Sequence, residues 1–102
     1  MNIRHETEYG IFEWNSEKNA INLRKHGLDF YAASEVFRDE YAVVRHDVSH
    51  STEEDRFKIV GCVRGFRIAV VIFTDRNNIT RIISARKATN AEVHDYERFF
   101  KN

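Results

Sequence analysis

Between Arg56 and Lys87 the chain gathers eight basic side chains and a single acid, Asp75. The bases are Arg56, Lys58, Arg64, Arg67, Arg76, Arg81, Arg86 and Lys87. Six of them are arginines, whose planar fork of donors matches phosphate geometry better than the point charge of lysine. The formal net charge of the whole chain is zero, because residues 1–55 carry six bases against twelve acids and residues 88–102 carry two against three. A neutral total therefore hides a basic stretch set between acidic ones. A local field of that sign points first to a polyanion, RNA or DNA.

Other residues could move protons. Lys25-His26-Gly27 falls where a first helix should end, and the partial negative charge of a helix C-terminus favours cationic side chains there. An ordinary helix cap explains the same triplet. In Glu53-Glu54-Asp55, just ahead of the basic strands, one carboxylate could act as a general base or pin an arginine; a solvated acidic loop is the plainer account. His46, Asp47 and His50 raise a zinc alternative. A strand-to-loop segment does not fix that spacing as a helix would, and no cysteine pair supports it, so no metal and no cofactor are expected. Cys62 shares a strand face with Val60 and reads as a buried thiol. Neither a Gly-rich phosphate loop nor a Gly-x-Ser-x-Gly nucleophile motif is present.

These residues need a scaffold, and 102 residues allow one modest core and one domain over 1–102. With no proline, four glycines and thirteen aromatic residues, the chain has apolar area enough to fold without staples. The lone cysteine excludes an internal disulfide and fits a reducing cytoplasm. No apolar signal segment opens the chain, and the run Ile68 to Phe73 is far short of the roughly 20 residues that span a bilayer. No membrane partner is expected.

Ile11-Phe12-Glu13-Trp14 alternates with period two and predicts a first strand. Asn15 or Ser16 then caps a helix that Gly27 stops, and Asp29 caps a second carrying Phe30, Ala33, Val36 and Phe37 on one face. Strands are expected at Ala42–Asp47, Phe57–Val63, Phe66–Thr74 and Ile79–Lys87, with turns at Arg64-Gly65 and Asn77-Asn78. Thr89-Asn90-Ala91-Glu92 spells a capping box, followed by Val93, Tyr96 and Phe100 at helical spacing. The order is β-α-α-β-β-β-β-α, an α+β fold with a small antiparallel sheet and helices packed on it; residues 1–10 are left as a flexible leader. Strict alternation along the last strand sets Thr80, Ile82, Ser84 and Arg86 on one face and Arg81, Ile83, Ala85 and Lys87 on the other. Neither set is purely apolar, so the sheet should keep a polar surface open toward one end. Arginines that merely decorate a solvated face would read the same way.

Phe12-Glu13-Trp14, Lys18, Asn22, Lys25-His26-Gly27, Phe30 and Val36-Phe37 together resemble the opening signature of the BrnT toxin family. The resemblance resumes at Asp55-Arg56-Phe57, Gly61 and Phe73-Thr74-Asp75-Arg76. It closes on the run from Arg81 through Ile82-Ile83-Ser84-Ala85-Arg86-Lys87-Ala88 to Thr89. It covers about Phe12 to Tyr96, and the ordered combination is far more specific than any one piece. Asn15-Ser16 departs from the family's usual Asp-Pro, which touches helix initiation only.

The resemblance implies a RelE-like ribonuclease toxin of a bacterial type II toxin–antitoxin pair that cleaves RNA without a metal. It also implies translation inhibited until a BrnA-like antitoxin with a ribbon-helix-helix domain binds, and promoter DNA held by the complex. RNA supplies its own nucleophile, the 2′-hydroxyl. The protein must deprotonate it, protonate the leaving 5′-oxygen and stabilise a phosphorane. His26 is the expected acid–base residue, with Glu54 as partner. Lys25, Arg56, Arg81 and Arg86 would hold phosphate and transition-state charge. Lys58, Arg64, Arg67, Arg76, Ser84 and Lys87 would line the RNA path. Two alternatives remain open: a module that grips RNA or DNA without cutting it, and a basic interaction protein that mates with an acidic partner.

Overall fold

The computed structural model describes residues 1–51, 53–64 and 67–98. Six strands form one sheet in the order β1-β2-β6-β5-β4-β3. They are β1 (Asn2–Thr7), β2 (Gly10–Asn15), β3 (Val43–His46), β4 (Phe57–Val63), β5 (Arg67–Arg76) and β6 (Ile79–Lys87). The helices are α1 (Ser16–His26), α2 (Phe30–Ala33), which runs on as a 3-10 turn over Ser34–Arg38, and α3 (Asn90–Glu97). Asn77 and Asn78 both take positive φ, 52° and 68°, which joins β5 to β6 by the two-residue turn that matches strand twist. The expected turn at Arg64-Gly65, the strand start at Phe66 and the helical position of Phe100 fall wholly or partly outside the described residues.

Two expectations change. Residues 2–7 are not a loose leader but an edge strand paired along its length with β2, from Asn2–Asn15 to Thr7–Gly10. Its inward positions are Ile3, His5 and Thr7; only one is apolar, so the alternation is invisible in hydropathy. The sheet is also mixed rather than wholly antiparallel, because β2 runs parallel to β6 through Phe12–Thr80 and Glu13–Arg81.

One face carries the main core. Phe12, Trp14, Phe30, Val36, Val71 and Phe73 lie in it with α1 and α2 laid over them, and burial of each such side chain contributes roughly 1.5–3 kcal/mol. Asn15 caps α1 through bonds from Glu17 N and Lys18 N (2.9 and 3.0 Å), and Gly27 stops it at φ 72°. Asp29 caps α2 through Ala32 N at 2.8 Å. Gly61 lets Val36 lie directly on β4: a Cβ there would come within 2.8 Å of a Val36 methyl.

The opposite face is covered only in part. α3 packs Tyr96, with Val93 at its edge, against Val60, Val70 and Ala88, and the Tyr96 hydroxyl donates to Asp39. Asp39 also accepts from Cys62 N at 2.7 Å, so one carboxylate ties α3, β4 and the 3-10 turn together. Among the described residues no helix is long and apolar enough to cross a membrane. Beyond α3 this second face lies open, and Arg56, Lys58, Arg81 and Arg86 sit there.

Candidate nucleic-acid groove

A bulge in β6 assembles the open face. Phe73 pairs with Ile82, but Ile72 pairs with Ser84, leaving Ile83 as the extra residue. Strict alternation would have separated Arg81 from Ser84 and Arg86. The bulge instead keeps Ile82 and Ala85 in the core and turns Arg81, Ser84 and Arg86 to the same side, opposite Thr74, Ile72 and Val70. The parity expected from sequence is corrected here: one inserted residue re-aims every side chain after it.

On that side lies a groove of about 410 Å³ lined by Asp47, Ser49, Arg56, Lys58, Ile72, Ile83, Ser84 and Arg86. Four of the expected site residues, Arg56, Lys58, Ser84 and Arg86, thus meet across β4 and β6. Carboxylates hold the cations around it. Arg86 donates Nη1 to Glu92 Oε1 at 2.8 Å and Nη2 to Oε2 at 3.0 Å, and Lys58 Nζ reaches Oε2 at 2.8 Å. The Arg86 and Lys58 hydrogen bonds outweigh desolvation and hold the Glu92 carboxyl far below the usual carboxylate range, while Glu92 raises Arg86 in turn.

Along the same face, Arg76 makes a two-point pair with Glu54 (2.7 and 3.0 Å). The Arg76 hydrogen bond lowers the Glu54 carboxyl, and Arg56 and Arg81 add to the effect. Arg81 Nη1 donates to Asn2 Oδ1 at 2.9 Å and Glu13 Oε1 at 3.2 Å, so the β1–β2 pair buttresses it. Arg56 makes no ion pair among the described residues and remains the open cation of the groove.

The other expected residues lie apart. Lys25 and His26 are exposed at the end of α1 and do not line the groove. Gly27, next to them, lines a separate apolar cavity with Leu23, Leu28, Val63, Arg64 and Arg67, and Arg64 pairs with Glu35 at 3.1 Å. Lys87 is exposed at the end of β6, on the core-side parity opposite Ala69. His46 bonds Asp55 at 3.1 Å, and no three His, Cys, Asp or Glu side chains among the described residues gather as a metal site. Cys62 is half-buried.

Two further residues belong to this arrangement: Asp47 lines the groove, and Glu92 holds two of its cations. Glu92 forms the capping box that Thr89-Asn90-Ala91-Glu92 spells, and a cap alone explains a Glu there, which hides its second use. Asp47, which in sequence suggests only a metal ligand, brings a carboxylate into the groove beside Arg56 and Lys58. Chemically, the arrangement offers several oriented donors for phosphate oxygens, with the carboxylate of Asp47 in the groove and that of Glu54 along the same face.

Residues 14–92 match the model of a family described as the ribonuclease toxin BrnT of type II toxin–antitoxin systems. The fold is similar to the crystal structure of the Brucella abortus ribonuclease toxin BrnT, with a TM-score of 0.60 and 33% identity. That match covers 76% of this chain and 94% of the other. No curated protein matches the chain.

Proposed function

The chain belongs to the BrnT family of ribonuclease toxins of type II toxin–antitoxin systems, and from that premise we propose that it is a metal-independent endoribonuclease working at the β4–β6 groove. The observation that carries this reading is the convergence of Arg56, Lys58, Ser84 and Arg86 on one lined groove from strands far apart in sequence. Attack by the 2′-hydroxyl needs positive charge at the phosphorane and groups that exchange protons. The groove's side chains supply the charge. Arg56, unpaired among the described residues, meets the scissile phosphate, while Arg86 and Arg81, fixed by Glu92 and Glu13, stabilise developing charge.

In this reading Glu54, along the groove face, exchanges the proton there, while His26 and Lys25, which do not line the groove, act as acid–base groups on RNA that has run on to the end of α1. The RNA then has to extend from the groove past the end of β6, where Asn22 fastens α1 to Ala85. Lys58, Ser84 and Arg76 contact its backbone in and beside the groove, and Lys87, Arg64 and Arg67 do so beyond it. The activity inhibits translation in the cytoplasm until a BrnA-like antitoxin with a ribbon-helix-helix domain binds, and the complex holds promoter DNA.

The test is purified protein incubated with RNA in excess chelator, with the product ends identified. Fragments ending in 2′,3′-cyclic phosphate or 3′-phosphate are expected. RNA retained but uncut would leave a binding module, and RNA neither retained nor cut would leave an interaction protein.

A further inference from the structure

We propose that Glu92 is a positioning residue of the groove, whose carboxylate fixes Arg86 and Lys58 in the orientation that meets the scissile phosphate. The inference rests on reading the groove as the ribonuclease site. A helix cap needs one carboxylate oxygen, and Glu92 supplies it through Oε1, which accepts from Thr89 N at 2.9 Å. The remaining bonds exceed that need. Oε1 also takes Arg86 Nη1, and Oε2 takes both Arg86 Nη2 and Lys58 Nζ. Four donors thus saturate one carboxylate.

The post itself is rigid. Its side chain is 14% exposed, it sits in the first turn of α3 where the helix end favours an anion, and Tyr96 anchors that helix to Asp39. Glu92 grips the end of the Arg86 guanidinium, and Nη1 also reaches Lys87 O at 3.3 Å. This leaves Nε–H and the outer Nη2 hydrogen, two parallel donors along one edge. That edge has the spacing that binds two phosphate oxygens at once. Glu92 therefore opposes ground-state attraction of RNA through its charge while it orients the group that acts on the transition state.

Those opposite signs give the test. Glu92→Gln keeps the capping box, which accepts Gln at this position, and removes the charged clasp. Single-turnover cleavage should slow by about 10- to 100-fold, the scale of a misplaced reacting group. Binding of an uncleavable 2′-deoxy analogue should tighten, with a steeper salt dependence because Arg86 and Lys58 are released to phosphates. Thr89→Ala weakens the same helix start, leaves the carboxylate, and should cleave at the wild-type rate. Equal losses in both variants would reduce Glu92 to a cap, and unchanged or faster cleavage by Glu92→Gln would overturn the inference alone. An inert wild-type protein would overturn the ribonuclease reading along with it.

Discussion

At Asn22 a buried amide stands in for a missing strand. β2 meets β6 only at Phe12–Thr80 and Glu13–Arg81, so farther along that edge Ala85 has no strand partner. Asn22 Nδ2 donates to Ala85 O and to Leu28 O, each at 2.8 Å, and Oδ1 accepts from Ala85 N at 3.1 Å. Asn22→Ala strands these buried backbone groups and should cost about 2–4 kcal/mol, lowering Tm by about 10 °C or more in thermal unfolding. A change of a degree or two would mean that water replaces the amide. His26 makes the contrasting case. Exposed at a helix end, it should tolerate Ala at a cost of about 1 kcal/mol or less, yet cleavage should fall by roughly 10²- to 10⁴-fold if it transfers a proton. Full activity in folded His26→Ala protein would remove it from the mechanism and direct attention to Glu54 and Asp47, the carboxylates on the groove side.

At the scale of elements, the caps were legible because each is a local contest between a side chain and the first free N–H groups. Asn15, Asp29 and Thr89 all behave as their types require. The β6 bulge was not legible, since no glycine marks it and Ile83 suits either face. Nor was β1, whose one inward apolar residue leaves no periodic trace. Glu92 joins the two elements that the bulge and the last cap define, and it makes stability depend on pH. Its folded carboxyl lies below the ordinary value of 4.5, so its contribution is fully present above that value and is lost as pH falls toward the folded one. Arg86 and Lys58 remain about a third exposed, at 38% and 32%, and screening holds the contribution near 1 kcal/mol. Glu92→Gln should therefore unfold earlier than wild type in denaturant at pH 7, with the gap narrowing below pH 4.5. A gap that is constant across pH would assign the loss to packing.

Over the whole molecule, the basic stretch gave the location of the groove but overstated its field. Lys58, Arg64, Arg76, Arg81 and Arg86 are paired in the fold with Glu92, Glu35, Glu54 and Glu13, all outside that stretch. Sequence neighbours cannot reveal this, because the partners arrive from β2, α3, the 3-10 turn after α2 and the loop before β4. The result is a face of oriented donors more than one of free charge, which suits stabilising a transition state better than gripping any polyanion. Internal attack by the 2′-hydroxyl is tested by one substrate. An RNA carrying a single 2′-deoxyribose at the mapped cut position, incubated with the protein in chelator, should bind like its all-ribose parent and remain whole at that bond, because the nucleophile is missing. Cleavage there at the rate of the parent RNA would contradict the account.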